Sequence, residues 1–171
     1  MLIAIISDSH DNIPNIEKFL SWAKTNKAGM LIHCGDVSAP SMINELFKDF
    51  AGPMHLVFGN VADREILPKV CSKYPNIRLH GDEGEVFLNS ENGTKIKIAF
   101  CHFFEEAKRL AETGKYHIVF YGHTHKPWME TLSNNCQLIN PGTLGGVFNK
   151  ATFAVYDTAT GKLELKILEI L

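Results

Sequence analysis

Five short apolar runs in this chain end on the same kinds of residue, and that repetition restricts what it can fold into. "LIAIIS" leads into Asp8-Ser9-His10, "MLIH" into Cys34-Gly35-Asp36, and "MHLVF" into Gly59-Asn60. "IKIAF" leads into Cys101-His102, and "HIVFY" into Gly122-His123-Thr124-His125. Runs of this length, rich in β-branched and aromatic residues and followed by glycine and polar residues, read as buried strands. In open α/β sheets the loops beyond the carboxyl ends of the strands converge on one edge, where ligands bind. Two aspartates, one asparagine and four histidines would meet at that edge.

The intervening segments support such a sheet. A helix is expected from Asn12 or Ile13, with Pro14 in its first turn and Ile16, Phe19, Leu20 and Ala23 at helical spacing. "SMINELFKDF" reads as a second helix, with Ile43, Leu46, Phe47 and Phe50 on one stripe. A short helix broken near Pro68 follows the third strand. Alternation of strand and helix favours a parallel sheet. From about residue 76 the rhythm changes: "IRLHG", "EVFLN" and "TKIKIAF" read as successive strands, with turns at Gly81 to Gly84 and at Asn92-Gly93. One more helix is expected over Phe104 to Glu112, ending at Gly114. "QLINPGT", "ATFAVYDT" and "KLELKILEI" then look like an antiparallel meander turning at Asp157 to Gly161. With no repeat or linker, the 171 residues are expected to form one domain, 1–171.

Composition narrows the function classes. The net charge is -2 and arginine occurs only at Arg64, Arg78 and Arg109, which argues against a broad nucleic-acid surface. The first apolar run stops at Ile6, too short for a signal-peptide core, and no stretch approaches a membrane span. Cys34, Cys71, Cys101 and Cys136 are widely spaced without a CxxC pair, so reduced, buried thiols and a cytoplasmic location are expected.

Carboxylate, amide oxygen and imidazole without thiolate suit borderline divalent ions such as manganese, iron, nickel or zinc. Seven such ligands exceed one tetrahedral site and fit two ions ~3.5–4 Å apart sharing a carboxylate. The i, i+2 spacing of Asp8 with His10, and of His123 with His125, would aim each pair one way on extended backbone. Glycines before Asp36, Asn60 and His123 would let the chain turn sharply. Each motif alone is weak: Asp36 and Asn60 would also serve as turn or cap residues. The joint pattern across five strand ends is what points to metal. His33 and His55, within or beside strands, read as buried, hydrogen-bonded rings, and His80 and His117 as candidates for groups behind the ligands. Cys34 and Cys101 alternate to the other strand face and read as core residues.

In this order, D-x-H, G-D, G-N, a lone histidine and G-H-x-H, the sequence resembles the calcineurin-like metallophosphoesterases. It most resembles their small bacterial and archaeal single-domain phosphodiesterases, the YfcE-like or MJ0936-like group. The resemblance implies an α/β (α+β) fold of two facing mixed β-sheets flanked by helices. It implies two divalent ions, manganese first, with nickel, iron, cobalt or zinc as alternatives. Asp8, His10 and His125 would bind one ion, Asn60, His102 and His123 the other, and Asp36 would bridge them. The implied reaction is hydrolysis of a small-molecule phosphodiester by a hydroxide bridging both ions, with Asn60 also orienting the substrate. Asn140-Pro141-Gly142-Thr143 resembles the family's N-P-G-S/T segment, so Asn140, Gly142 and Thr143 are candidate phosphate contacts, or else a plain turn. An exposed sheet edge or helix face would allow a homo-oligomer.

Three departures bear on activity. Many relatives read G-N-H-[DE], where the histidine protonates the leaving group. Here Val61 takes that place and the acidic residue, Asp63, comes one position later as a candidate support behind the ligands. Loss of a general acid costs roughly 10²–10⁴-fold for a poor leaving group. Phe103-Phe104 follows His102 where relatives often have glycine, to anchor the helix or to wall a substrate's aromatic group. The "PR" that often follows N-P-G-S is missing. A phosphomonoesterase of the same fold is the second enzymatic reading. A non-catalytic scaffold, like the retromer subunit of this fold, is a third, set apart here by the full set of seven ligands.

Overall fold

The computed structural model describes residues 1–89 and 93–171. Asn92, in one of the expected turns, lies outside the described residues. The first sheet contains β1 (Leu2–Ile6), β2 (Met30–His33), β3 (Met54–Leu56) and β4 (Ile77–Leu79), which run parallel. Its other edge is an antiparallel hairpin of β10 (Thr152–Asp157) and β11 (Leu163–Ile167), giving the order β11-β10-β1-β2-β3-β4. The second sheet contains β5 (Glu83–Asn89), β6 (Lys95–Cys101), β7 (Ile118–Phe120), β8 (Trp128–Thr131) and β9 (Gln137–Asn140), in the order β5-β6-β7-β9-β8. There β6, β7 and β9 are parallel, while β5 and β8 are antiparallel edges.

The two mixed sheets face each other, as expected. Ile3, Ile5 and Ile32 pack from one sheet against Ile98, Phe100, Phe120 and Ile139 of the other. Because side chains alternate along a strand, Ala4 and Ile6 face outward instead. They meet Ile16, Phe19 and Ala23 of helix α1 (Ile13–Thr25). Helix α4 (Phe104–Glu112) covers the outer side of the second sheet, setting Ala107, Leu110 and Ala111 on Val119 and Leu138. Strands covered on both faces explain the unbroken apolar runs. Asn12 caps α1 by accepting from Asn15 N–H, and Pro14 sits in its first turn, where its missing N–H is not needed.

Four expectations are corrected. "SMINELFKDF" is not one helix: α2 (Ser41–Glu45) stops where Leu46 leaves helical geometry, and a 3-10 turn over Phe47–Asp49 follows. Ile43, Phe47 and Phe50 are buried in the same cluster, so packing of the stripe prevails over helix continuity. Pro68 does not break the next helix, because it lies in the first turn of α3 (Ile66–Cys71), where N–H groups have no intrahelical partner. β4 and β5 are not neighbours; the chain leaves the first sheet after β4 and opens the second with β5. Gly84 belongs to β5 and lies against the Phe100 ring, where a Cβ would collide. Finally, the tail is no single meander. β10 and β11 form a hairpin whose turn is closed by Gly161 N–H to Asp157 O (2.8 Å), whereas β9 lies in the other sheet beside β7. The unforeseen β8 is an edge strand with Trp128 and Met129 exposed, so it lacks a buried-strand signature. Among the described residues no helix is long and apolar enough to cross a membrane.

Candidate metal centre

β1, β2 and β3 of the first sheet and β6 and β7 of the second deliver the seven candidate ligands just past their carboxyl ends. The backbone there is not extended. Asp8, His10, Asp36, His123 and His125 all have left-handed φ, between 42° and 64°. A non-glycine residue in that region costs of order 1 kcal/mol, and several together mark a site held by its surroundings. Asp8 and His10 still meet in one cluster, with Oδ1 and Nε2 3.8 Å apart, but the i, i+2 argument fails for His123 and His125. His123 turns its Nδ1 to Asn60 Oδ1 (2.9 Å), while His125 turns its Nε2 to His10 Nε2 (3.1 Å) and Asp8 Oδ1 (3.2 Å).

Two sets of ligating atoms result. Asp8, His10 and His125 can each offer one atom so that all lie within 4.8 Å of one another, and so can Asp8, Asp36 and His102. The second set extends through His102 Nε2 to Asn60 Oδ1 (2.9 Å) and thence to His123. Asp8 is common to both sets, and Asp36 Oδ2 of the second set, 3.4 Å from His102 Nε2, also lies 3.9 Å from His10 Nε2 of the first. Its other oxygen accepts from Val61 N–H (3.1 Å). Ring orientation is fixed from behind: His102 Nδ1 meets Cys34 O (2.8 Å) and His125 Nδ1 meets Val147 O (3.1 Å), leaving each Nε2 facing the site.

Charge tells the same story. Asp8 is fully buried; Oδ2 accepts from His123 N–H (3.0 Å), but Oδ1 has no hydrogen-bond partner. Burial raises its pKa, against the opposing pull of Ser7 and of the His102 and His125 charges. Burial also pushes Asp36 upward, but His102, Val61 N–H and His10 outweigh it and hold that carboxyl below its ordinary value. For His102, burial lowers the pKa and Asp36 more than reverses it. A buried carboxylate oxygen without a hydrogen bond, facing two imidazole nitrogens whose rings are 5.0 Å apart, is an arrangement that a cation would stabilise. The donor set thus fits divalent ions.

Other site predictions fall elsewhere. Asn140 and Thr143 are buried with their polar groups committed. Asn140 Nδ2 donates to Gly122 O (2.7 Å) and Thr124 Oγ1 (3.0 Å), and its Oδ1 accepts from Gly142 N–H (2.8 Å). Thr143 Oγ1 donates to Asp8 O (2.9 Å). Gly142 packs under Thr152, where a Cβ would collide. These three residues clamp the loops that carry Asp8 and His123. Asp63 accepts from the N–H groups of Glu65 and Ile66 at the start of α3 and makes no hydrogen bond to a ligand among the described residues. His33 is a buried ring, as expected: Nδ1 accepts from Gly35 N–H, Nε2 meets Ser9 Oγ, and burial lowers its pKa to about 3. His55, expected to be buried, is half-buried like His80, and the two rings pair with each other (2.9 Å), while His117 lies at the opposite end of β7 from the ligands. Cys34 and Cys101 are core residues, and all four thiols are free and buried.

Sequence reasoning overlooked Asp11 and Ser7. Asp11, also left-handed, accepts Ala39 N–H and ties the β1 and β2 loops together. Ser7 Oγ donates to Cys34 O and lies where a Cβ on Gly122 would be, so Gly122 is needed for space rather than for a sharp turn.

Residues 1–161 match the calcineurin-like phosphoesterase superfamily domain. The chain belongs to that superfamily. It is 29% identical over 171 residues to phosphodiesterase MJ0936 of Methanocaldococcus jannaschii, covering 99% of this chain and 100% of the relative. Among solved structures, an archaeal phosphodiesterase superposes with a TM-score of 0.83 at 24% identity, over 98% of this chain and 99% of the other. A D62A variant of Vps29 from Entamoeba histolytica gives 0.70 at 17% identity, over 97% of each chain. These superpositions establish the shared fold of phosphoesterase-like sheets; the fold alone does not separate enzyme from scaffold.

Proposed function

We propose that this protein is a metal-dependent phosphodiesterase with a dinuclear centre. Asp8, His10 and His125 hold one ion, Asn60, His102 and His123 hold the other, and Asp36 joins them. Bound there, two divalent ions supply acidified water as nucleophile and neutralise charge at the phosphorus. Manganese is the first candidate, with nickel, iron, cobalt and zinc next, because an oxygen and imidazole set without thiolate accepts all of them. The observation that carries the reading is the buried Asp8 Oδ1, which makes no hydrogen bond and faces His125 Nε2 at 3.2 Å.

The protein's own groups do the positioning. Asn140, Thr143 and Asp11 lock the loops, so the ligands need little rearrangement on binding. Exposed Asn60 and His123 stand at the rim, where a substrate phosphate would enter and Asn60 can orient it. Val61 is 43% exposed beside Asp36 and can transfer no proton. The preferred substrates are therefore small-molecule diesters whose leaving groups depart without protonation, and monoesters of poor leaving groups are disfavoured. Four buried free thiols suit a reducing, cytoplasmic setting.

The test is hydrolysis of bis(p-nitrophenyl) phosphate by metal-stripped protein, with manganese titrated back and His123→Ala run in parallel. Turnover that appears with manganese and disappears in the variant is the expected result. No turnover with manganese, nickel, cobalt or zinc would overturn the proposal and leave the scaffold reading.

A further inference from the structure

The same centre carries an apolar frame. Phe148 is 94% exposed, more than any other large apolar side chain among the described residues, and its φ is 64°. Single exposed apolar residues are ordinary. The loop that bears this one is tied to the site. Leu144 N–H donates to Ser7 O (2.8 Å), Gly145 N–H to Asp8 O (2.9 Å), and Val147 O meets His125 Nδ1 (3.1 Å). Those tethers fix the loop on the ligand-bearing segments up to the residue before Phe148. The Phe148 ring lies near-parallel over His125, centroids 6.0 Å apart at 29°, the only ring contact it makes among the described residues. Its solvent side is open.

A second ring marks the other end of the histidine row. Phe103 sits edge-on to His102 (4.9 Å) and His123 (4.8 Å), while its neighbour Phe104 turns inward onto Tyr121 (5.5 Å) and anchors α4. With Val61 exposed beside Asp36, apolar groups adjoin three parts of the candidate centre. No role in holding metal or the loops explains an aromatic face kept in water at a strained backbone position. An aromatic ring on the ligand does, since flat rings stack on exposed aromatic side chains without needing specific hydrogen bonds.

We infer that Phe148 is a substrate-stacking residue, and that the ester taken by this site bears an aromatic group, either a simple aryl ring or a nucleobase. The inference rests on the phosphoesterase reading of the centre. It is tested without turnover, by calorimetric binding of methylphosphonate, phenylphosphonate and the phosphonate analogue of adenosine monophosphate to the manganese-loaded protein. The aromatic phosphonates are expected to bind roughly 5- to 150-fold tighter than methylphosphonate, the range that stacking one ring contributes. Phe148→Ala removes that advantage and Phe148→Trp retains it. Whichever aromatic compound gains more distinguishes the aryl from the nucleobase source. Equal affinities, no binding by any of the three, or a preference that survives in Phe148→Ala would overturn the inference. Because phosphonates are not hydrolysed, a preference without diester turnover defeats only the diesterase reading. Turnover without a preference defeats only this inference.

Discussion

Two histidine pairs in this molecule look alike at the level of contact and differ in everything that would make a metal site. His10 and His125 approach to 3.1 Å between ring nitrogens, with ring centroids 5.0 Å apart. His55 and His80 approach to 2.9 Å, with centroids 5.1 Å apart. The first pair shares its space with a buried carboxylate oxygen that has no partner, and both histidines have left-handed φ. The second pair has ordinary backbone, meets Phe100 edge-on, and is joined by no third ligating side chain among the described residues. One pair can share a proton and be satisfied. The other adds a buried carboxylate oxygen without a hydrogen bond, which a cation would satisfy. Proximity of imidazoles is therefore poor evidence for metal, whereas an orphaned carboxylate on a strained backbone is good evidence.

That contrast breaks most easily at activity. His10→Ala and His125→Ala should each lower metal-dependent diester hydrolysis by more than ~10²-fold, since even partners behind the ligands cost 10–100-fold when removed. His55→Gln and His80→Gln should stay within about 3-fold of the parent, because neither ring reaches the centre. Steady-state kcat/KM on an aryl diester measures both. Equal losses in the two pairs would erase the distinction.

Val61 sharpens it next. The side chain is exposed and only its backbone N–H serves Asp36, so Val61→His fits without disturbing the carboxylate. Restoring an imidazole should raise hydrolysis of an alkyl diester by roughly 10²-fold, with little change for a p-nitrophenyl leaving group. The alkyl-to-aryl rate ratio is the readout. An unchanged ratio would mean that a group other than the residue at position 61 governs protonation.

Stability should move oppositely at Asp8. Removing a buried charge without a full set of partners stabilises a metal-free fold, so Asp8→Asn should raise metal-free stability by about 1–3 kcal/mol. Manganese at 100 times its Kd should add ~2.7 kcal/mol to the parent and little to this variant. Urea titrations with and without metal measure the four values. A destabilised Asp8→Asn with an intact manganese effect would place the ion elsewhere.

Much of this was legible in the sequence, for a physical reason. A strand buried on both faces must be a short apolar run, so β1, β2, β3, β6 and β7 and the polar residue after each were visible at once. Sheet membership was not. Nothing local distinguishes β4, in the first sheet, from β5, in the second, because that choice depends on which faces the whole chain must cover. The spacing of His123 and His125 identified the residues but not their directions, since extended and left-handed backbones aim them differently. For Asn140 and Thr143 the sequence leaves phosphate contact and a plain turn equally open. Their inward hydrogen bonds to Gly122 and Asp8 depend on contacts 18 and 135 residues away, which no local pattern records.

The smallest expected effect belongs to the second histidine pair. Burial, helped by the charges of His55 and Arg78, lowers His80 to about 4, against an ordinary value of 6.5. Above pH 6.5 the ring is neutral in folded and unfolded chains alike, and its contribution is fully present. As pH falls from 6.5 towards 4 the unfolded chain takes up a proton that the fold refuses, so stability is lost across that window. His33, lowered to about 3, extends the loss further. Metal-stripped protein should therefore melt at a lower temperature at pH 5 than at pH 7, and His80→Gln should show a shallower fall, the remainder coming from His33 and from His55, which burial also lowers. Identical slopes in parent and variant would mean that His80 carries its proton in the fold. The two pairs would then differ less than their surroundings suggest.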